Sequence, residues 1–179
     1  MLALCGPTGA GKTTLLRALL GLEPSAQGDV RVQDRLLTPE QVGPAWRPFA
    51  WVPQDAPVVS GTLEDNFGLT GVSCPRALAE LDALGAGELR AQLSAVKLGQ
   101  GGRPLSGGER RWIALARAVA TGYPVLLLDE PTAGLDPDAR ARVLELLRAA
   151  RKSRALLVVS HAEEVIALAD EVVRIGERY

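Results

Sequence analysis

The residues with the clearest capacity for chemistry lie near the start of the chain, where residues 6–13 read Gly-Pro-Thr-Gly-Ala-Gly-Lys-Thr. This segment fits the pattern G-x-x-x-x-G-K-[ST], in which glycines let the backbone curl tightly around an anion. The curled backbone points several N–H groups into one concavity, and a following helix adds its positive N-terminal end. Lys12 places a positive charge on the outer phosphates, and Thr13 offers a hydroxyl to Mg²⁺. We therefore predict a site for nucleotide phosphates and Mg²⁺.

The sequence on either side of this segment predicts the elements that must position it. Residues 1–5 are an apolar run typical of a buried strand, and the leucines of residues 15–20 recur at helical spacing. A glycine-rich turn that merely links a strand to a helix is the alternative, but it leaves the complete motif unexplained. The residues expected to bind the phosphates are Gly6, Pro7, Thr8, Gly9, Ala10, Gly11, Lys12, Thr13 and Thr14.

A pair of acidic residues follows a second apolar run. Residues 125–128 read Val-Leu-Leu-Leu, as expected of a strand buried on both faces of a parallel sheet, and Asp129 and Glu130 come next. Ligand sites in open α/β sheets lie at this end of the strands. Asp129 suits a Mg²⁺ site, directly or through water, and Glu130 suits a base that polarises water for attack on a γ-phosphate. Two solvated acids at a strand end are the alternative.

A second glycine motif opens a predicted helix, where residues 105–109 read Leu-Ser-Gly-Gly-Glu. Ser106 and Glu109 have the spacing of a capping box, so an ordinary helix start is one explanation. It does not account for Gly107 and Gly108, because each glycine costs a helix about 1 kcal/mol relative to alanine. Glycines are expected there if a phosphate approaches the N-terminus of the helix.

Taken together, these motifs resemble those of the nucleotide-binding domain of an ATP-binding cassette (ABC) protein. Residues 6–13 resemble the Walker A motif, residues 105–109 the signature motif and residues 125–131 the Walker B motif. Gln54 matches the Q-loop glutamine, Asp136 lies in a Gly-Leu-Asp-Pro segment like the D-loop, and His161 matches the switch histidine. A single histidine is more often structural, but all six motifs occur here in the order of the family and cover nearly the whole chain.

The resemblance implies a function and a partner for each motif. Two cassettes would pack head to tail, each ATP lying between the Walker A motif of one and the signature motif of the other. Hydrolysis of ATP to ADP and phosphate would then power transport through a transmembrane domain. The implied catalytic residues are Lys12, Gln54, Glu130 and His161, and the implied Mg²⁺ ligands are Thr13, Gln54 and Asp129. Contacts to the ATP of the partner cassette are implied for Ser106, Gly107, Gly108 and Asp136.

Composition agrees with one soluble domain that works in the cytoplasm, at the inner face of a membrane through its transmembrane partner. The chain has 179 residues, a formal net charge of −1 and a pI of about 5.9, so nucleic acid is not an expected partner. No apolar run approaches the ~18 residues that span a bilayer, and no signal peptide is visible. Cys5 and Cys74 lack metal or redox spacing, and Cys5 is expected to be buried.

We predict an α/β P-loop NTPase fold with a mainly parallel sheet flanked by helices. Residues 1–62 and 120–179 would form the core of this single domain, and residues 63–119 an inserted helical subdomain with the signature motif. Residues 49–54 and 60–66 are similar to exporter cassettes, as is the Gly-Gln-Gly-Gly stretch at 99–102. Among these, the likeness is to bacterial exporters of the thiol-exporting type.

The beginning of the chain differs from the family pattern. Family members carry a few dozen residues before Walker A, which supply an aromatic side chain that stacks on adenine. We therefore expect weak ATP affinity, with Trp46 and Trp51 packing in the core instead of stacking on the base.

Two alternatives stay open, a non-transport ABC ATPase and a degenerate cassette that regulates a catalytic partner. The non-transport alternative is disfavoured, because chromosome-type ABC proteins place coiled coils between Walker A and the signature motif and ribosome-associated ones carry two cassettes. This sequence shows no such coiled coil and one cassette. Intact catalytic residues disfavour the regulatory alternative.

Overall fold

The strands of this computed structural model form one parallel sheet and one hairpin. Residues 1–32, 34–38, 40–42 and 47–176 are described, so Trp46 lies outside them. In chain order the strands are β1 (Leu2–Cys5), β2 (Val30–Val32), β3 (Arg35–Leu37), β4 (Phe49–Val52), β5 (Val125–Asp129), β6 (Ala155–Val159) and β7 (Glu171–Arg174). The main sheet has the order β4-β5-β6-β1-β7 with every neighbouring pair parallel, and β2 and β3 pair antiparallel. The predicted α/β fold class is confirmed.

Helices cover both faces of the sheet. They are α1 (Lys12–Leu19), α2 (Leu63–Gly68), α3 (Cys74–Ala83), α4 (Gly87–Leu93), α5 (Gly107–Ala120), α6 (Pro137–Ala150) and α7 (Glu163–Ile166). One apolar cluster joins α2–α6 to the sheet, and a second contains Leu16 of α1 and Leu127 of β5. Trp51 of β4 packs against this second cluster, as predicted. None of the helices described is long and apolar enough to span a bilayer.

Strands β1, β4 and β6, and β5 as far as Leu128, are apolar because the sheet is covered on both sides there. Leu126, Leu127 and Leu128 are each 1% exposed, although they point alternately to opposite faces. Helices α2–α5 lie within residues 63–120, between β4 and β5 in the sequence. Assigning residues 63–119 to a separate subdomain stays a proposal.

Register brings the carboxyl ends of the central strands to one edge. Leu4 of β1 and Asp129 of β5 both pair with Val159 of β6, and Val52 of β4 pairs with Leu128. The loops that follow β1, β4, β5 and β6 therefore leave the sheet side by side. Every motif that the sequence placed after a strand is brought to this edge.

Candidate nucleotide-binding site

The turn between β1 and α1 has a conformation that depends on its glycines. The φ angle is 149° at Gly6, 83° at Gly9 and 90° at Gly11. A Cβ atom on Gly6 would lie 2.3 Å from the carbonyl oxygen of Ile175, so packing also excludes a side chain there. Around Gly9 and Gly11 an added Cβ would meet nothing within 4 Å. At these two positions the positive φ, and not packing, is therefore what favours glycine.

Lys12 is positioned by the same turn. Its Nζ atom donates to the carbonyl oxygens of Gly6 at 2.7 Å and Pro7 at 2.9 Å. Helix α1 begins at Lys12, and its first turn contains no acidic residue. The positive end of the helix is therefore not neutralised by its own side chains, which favours binding of an anion here.

The residues expected to hold Mg²⁺ line one cleft. Thr13 Oγ1 donates to Asp129 Oδ2 at 2.7 Å, although the two residues are 116 positions apart in the chain. Gln54 lines the cleft with them, and Asp129 itself is 2% exposed. A hydroxyl, an amide and a carboxylate are oxygen donors of the kind that Mg²⁺ takes beside phosphate oxygens, so the donor set fits this ion. The described residues contain no cluster of three or more His, Cys, Asp or Glu side chains around a metal position.

Glu130 is held in an uncommon backbone conformation at the end of β5. Its φ angle is 49°, in the left-handed region, and its N–H donates to Val159 O at 2.9 Å. The carboxylate lies beside two side chains that follow β6. His161 Nε2 is 3.6 Å from Glu130 Oε1, and Ser160 Oγ donates to Oε2 at 3.5 Å. The Glu130 side chain is only 17% exposed, whereas that of His161 is 54% exposed and faces the cleft from outside.

These groups share a cleft of about 420 Å³. Its lining includes Thr8, Gly9, Gly11, Lys12, Thr13, Thr14, Gln54, Asp129, Glu130 and His161. A larger groove of about 670 Å³ lies between α3 and α6, but its lining is mainly apolar and contains none of these residues. We assign the chemistry to the smaller cleft, because it holds the polar groups that recognise phosphates.

The second glycine motif does not line this cleft. Ser106 is the N-cap of α5, and the predicted capping box is confirmed: Glu109 N donates to Ser106 Oγ at 3.2 Å, and Ser106 N donates to Glu109 Oε2 at 2.7 Å. Arg103 also donates to Glu109 Oε1 at 2.7 Å. Burial acts to raise the pKa of Glu109, but the hydrogen bonds from Ser106 and Arg103 outweigh it and hold that pKa below its ordinary value.

Comparison with known proteins decides the family. The sequence profile described as ABC transporter matches residues 1–133 of the chain. The chain belongs to the ABC transporter family. It corresponds to the ATP-binding domain of ABC exporters, and the family expected from its motifs is confirmed. Members of this family bind and hydrolyse ATP through such a domain.

Two relatives of this ABC domain are named as ATP-binding/permease proteins. The glutathione/L-cysteine transport system ATP-binding/permease protein CydC of Escherichia coli (strain K12) is 37% identical over 163 residues, 89% of this chain and 28% of the relative. The β-(1→2)glucan export ATP-binding/permease protein NdvA of Rhizobium meliloti (strain 1021) is 32% identical over 177 residues, 96% of this chain and 30% of the relative.

A solved structure shows the same fold as this ABC domain. The chain superposes on a bacterial Atm1-family ABC exporter with ATP bound, with a TM-score of 0.83 and 28% sequence identity. The match covers 98% of this chain and 32% of the exporter chain. The chain thus spans less than a third of the length of the relatives it matches.

The cap of α5 gives a first testable prediction. Changing Ser106 to Ala removes the oxygen that receives Glu109 N, so we expect the free energy of unfolding to fall by about 1 kcal/mol. Urea denaturation measures this change. Ser73→Ala is a matched control, because Ser73 precedes α3 without a side-chain capping bond. An equal effect of both substitutions would show that the Ser106 hydroxyl does not stabilise the helix.

Asp136 has a structural role in addition to the contact expected of it. Its Oδ1 atom accepts a hydrogen bond from Ala139 N at 2.9 Å, so it is the N-cap of α6. The residue is otherwise exposed, close to Gly134 with its φ of 70°. A contact between Asp136 and the ATP of a partner cassette stays a prediction.

Two residues of this site escaped the sequence reasoning, Ser160 and Arg111. Ser160 is fully buried beside Glu130, and the sequence gives no signal for it beyond its place after β6. Arg111 donates to the main-chain oxygens of Gln54 and Glu130. A signal for Arg111 does exist: it shares a helical face with Leu115 and Ala118, which are buried, and a charge on a buried face indicates a specific partner.

Proposed function

We propose that this ABC domain binds ATP with Mg²⁺ and hydrolyses it to ADP and phosphate as one half of a cassette dimer that powers transport through a membrane domain. The observation that carries this proposal is the meeting of Lys12, Thr13, Asp129, Glu130 and His161 in one cleft. These residues lie at or beyond the carboxyl ends of three different strands, β1, β5 and β6. A phosphate site, an oxygen-donor set for a divalent cation and a carboxylate base therefore lie within reach of one nucleotide.

Each group has a defined task in this mechanism. The loop amides and Lys12 bind and orient the phosphates, with the lysine leaving the loop carbonyls for the outer phosphates. Thr13, Gln54 and Asp129 would hold Mg²⁺, which neutralises charge on the phosphates when bound. Glu130 orients a water molecule and accepts its proton, and His161 lies where it can contact the γ-phosphate. Ser160 helps to fix the direction of the Glu130 carboxylate.

Support for a dimer comes from the glycines at the start of α5. Apart from the adjoining backbone of the helix, the nearest atom of the described residues to an added Cβ is 4.0 Å away at Gly107 and 3.9 Å away at Gly108, and neither glycine has the positive φ that would require it. Neither packing nor conformation within the chain thus demands glycine there. Glycine is needed there if a group from outside the chain approaches closely, and the N-terminus of a helix suits a phosphate. The ATP held by a second cassette fits this description.

The membrane domain is proposed from the relatives. Both curated relatives described above are named as ATP-binding/permease proteins, which unite the two functions in one chain. We propose a transmembrane partner for this chain also, with the ATP-binding domain at the cytoplasmic face of the membrane. The compounds in the relatives' names differ, glutathione or L-cysteine in one and β-(1→2)glucan in the other.

ATP binding by Lys12 is tested with Lys12→Ala. We expect ATP to bind about 10- to 100-fold more weakly, because a charge-assisted contact to the outer phosphates is lost. Isothermal titration of the chain with ATP and Mg²⁺ measures the dissociation constant. Lys152→Ala, which removes an exposed lysine beyond α6, serves as the control. Equal affinity of the wild-type and Lys12→Ala chains would contradict the proposed phosphate site.

A further inference from the structure

Arg111 is a buried charge beside the site that the proposed mechanism does not yet use. It is 8% exposed and lies on the first turns of α5, five residues after Ser106. One terminal nitrogen donates to the main-chain oxygen of Glu130, and the other donates to the main-chain oxygen of Gln54 at 2.8 Å. A single guanidinium thus connects α5, the signature helix that begins after Ser106, to the loops that contain Gln54 and Glu130.

Burial of this guanidinium is unfavourable unless it has specific partners. Burial lowers the pKa of Arg111, while the charges of Glu130 and Asp129 act in the opposite direction. Both of its hydrogen bonds end on carbonyl oxygens instead of carboxylates. The planar fork of arginine can reach two acceptors in fixed geometry, which the single ammonium of lysine cannot do.

The two carbonyls occupy equivalent places beyond the sheet. Val52 pairs with Leu128 in the ladder between β4 and β5, and Gln54 and Glu130 each lie two residues further along. The ladder between these strands ends before Gln54 and Glu130, so β-sheet hydrogen bonds do not join them. Arg111 joins them instead, by donating one hydrogen bond to each of the two carbonyl oxygens.

The Glu130 peptide is held at both ends by this arrangement. Its N–H donates to Val159 O at 2.9 Å, and its carbonyl oxygen accepts from Arg111 and from Ala133 N, the latter at 3.2 Å. The φ angle of 49° needs such external support, because residues other than glycine rarely adopt it. Fixing this backbone fixes the direction in which the side chain leaves it, and that direction points the carboxylate into the cleft.

We propose that Arg111 is a positioning residue, which clamps the main chains of Gln54 and Glu130 and thereby sets the Glu130 carboxylate for attack on ATP. The proposal rests on the proposed function, in which Glu130 activates water. The position of the signature helix then affects the position of the Glu130 carboxylate, and hence hydrolysis, within one chain. A displacement of α5 relative to the sheet shifts both loops together.

The first test measures hydrolysis and binding separately in Arg111→Gln. We expect kcat to fall by about 10- to 100-fold, since a misplaced catalytic group loses that much rate. The dissociation constant for ATP measured without Mg²⁺ should stay the same, because Gln54 is proposed to act through the ion. Arg111→Lys keeps the charge but lacks the fork, and we expect it to lose activity also. Full activity of the lysine variant would overturn the clamp, because charge alone would then suffice. A parallel loss of ATP affinity and kcat would overturn it as well.

The second test does not depend on hydrolysis. In Arg111→Gln, amide hydrogen exchange is expected to rise at Ala133 N, which bonds Glu130 O, and at Ala56 N, which bonds Pro53 O in the Gln54 loop. Exchange in β1 and β6 is expected to stay unchanged. Arg154→Gln is the matched control, because Arg154 is also partly buried and donates to a main-chain oxygen of α5, Val119 O at 2.9 Å.

The two tests separate failure of the clamp from failure of the proposed function. If the wild-type chain binds ATP without hydrolysing it, the assignment of Glu130 as base fails, and exchange at Ala133 and Ala56 still reports on Arg111. Exchange in Arg111→Gln that equals wild type at both amides overturns the clamp. Exchange that rises equally throughout the chain also overturns it, since it would show a general loss of stability.

Discussion

Glu130→Gln is expected to stop ATP turnover while ATP continues to bind. The amide keeps the shape of the side chain and its place beside His161 and Ser160, but it cannot accept the proton of the attacking water. A general base contributes about 10²–10⁴-fold to a rate, so kcat should fall by that factor. The substitution does not touch the contacts that we propose between the phosphates and Lys12 and the loop amides. Steady-state phosphate release and isothermal titration with ATP and Mg²⁺ measure the two properties independently.

Two further variants make this result specific. Glu145→Gln removes an exposed carboxylate whose ion pair with Arg148 is on the surface, and it should leave kcat and ATP affinity unchanged. Glu130→Asp keeps the charge but withdraws it by one methylene, and it should lose most of the activity. Turnover that survives in Glu130→Gln would show that another group activates the water. A wild-type chain that binds ATP and never hydrolyses it would match the regulatory alternative instead.

Local sequence determines the parts of the site that could be predicted. The Gly6, Gly9 and Gly11 spacing specifies a loop of positive φ angles, and the Ser106–Glu109 spacing specifies a capping box, because each depends on residues within one or two turns of chain. The apolar run of β5 likewise predicted a buried strand ending at an acidic pair. Parallel sheets bring the loops at the carboxyl ends of their strands to one edge. Motifs that are distant in the sequence but follow such strands were therefore predicted to lie close together.

What the sequence did not predict depends on packing between distant elements. The order β4-β5-β6-β1-β7 places β1 between two strands from the other end of the chain, and no local pattern contains that information. The buried helical face of Arg111 indicates that it has a specific partner, but not that the partners are the main-chain oxygens of Gln54 and Glu130. Local sequence does not predict the left-handed φ of Glu130, because the hydrogen bonds of its peptide to Val159 and Arg111 come from distant elements.

Two inactive variants are expected to restore hydrolysis when they are mixed. Lys12→Ala disables the phosphate loop of a chain. Gly107→Asp places a carboxylate at the exposed first position of α5, where it suits the helix N-terminus but repels the phosphates of an approaching nucleotide. A Cβ at this position does not clash, since the nearest described atom beyond the adjoining backbone is 4.0 Å away, in the side chain of Arg110. If each ATP is shared between two chains, each variant alone has both of its sites disabled.

A mixed dimer concentrates both defects in one of its two sites. The Gly107→Asp chain supplies an intact phosphate loop, the Lys12→Ala chain supplies an intact signature motif, and these two meet in the same site. Random association makes half of the dimers mixed, so turnover should reach about one quarter of the wild-type rate if sites act independently. Lys12→Ala mixed with the double variant is the control and should stay inactive, because no site then combines two intact motifs. A mixture no more active than its components would contradict the shared site. Full activity of Gly107→Asp alone would show that the open space before α5 does not receive a phosphate.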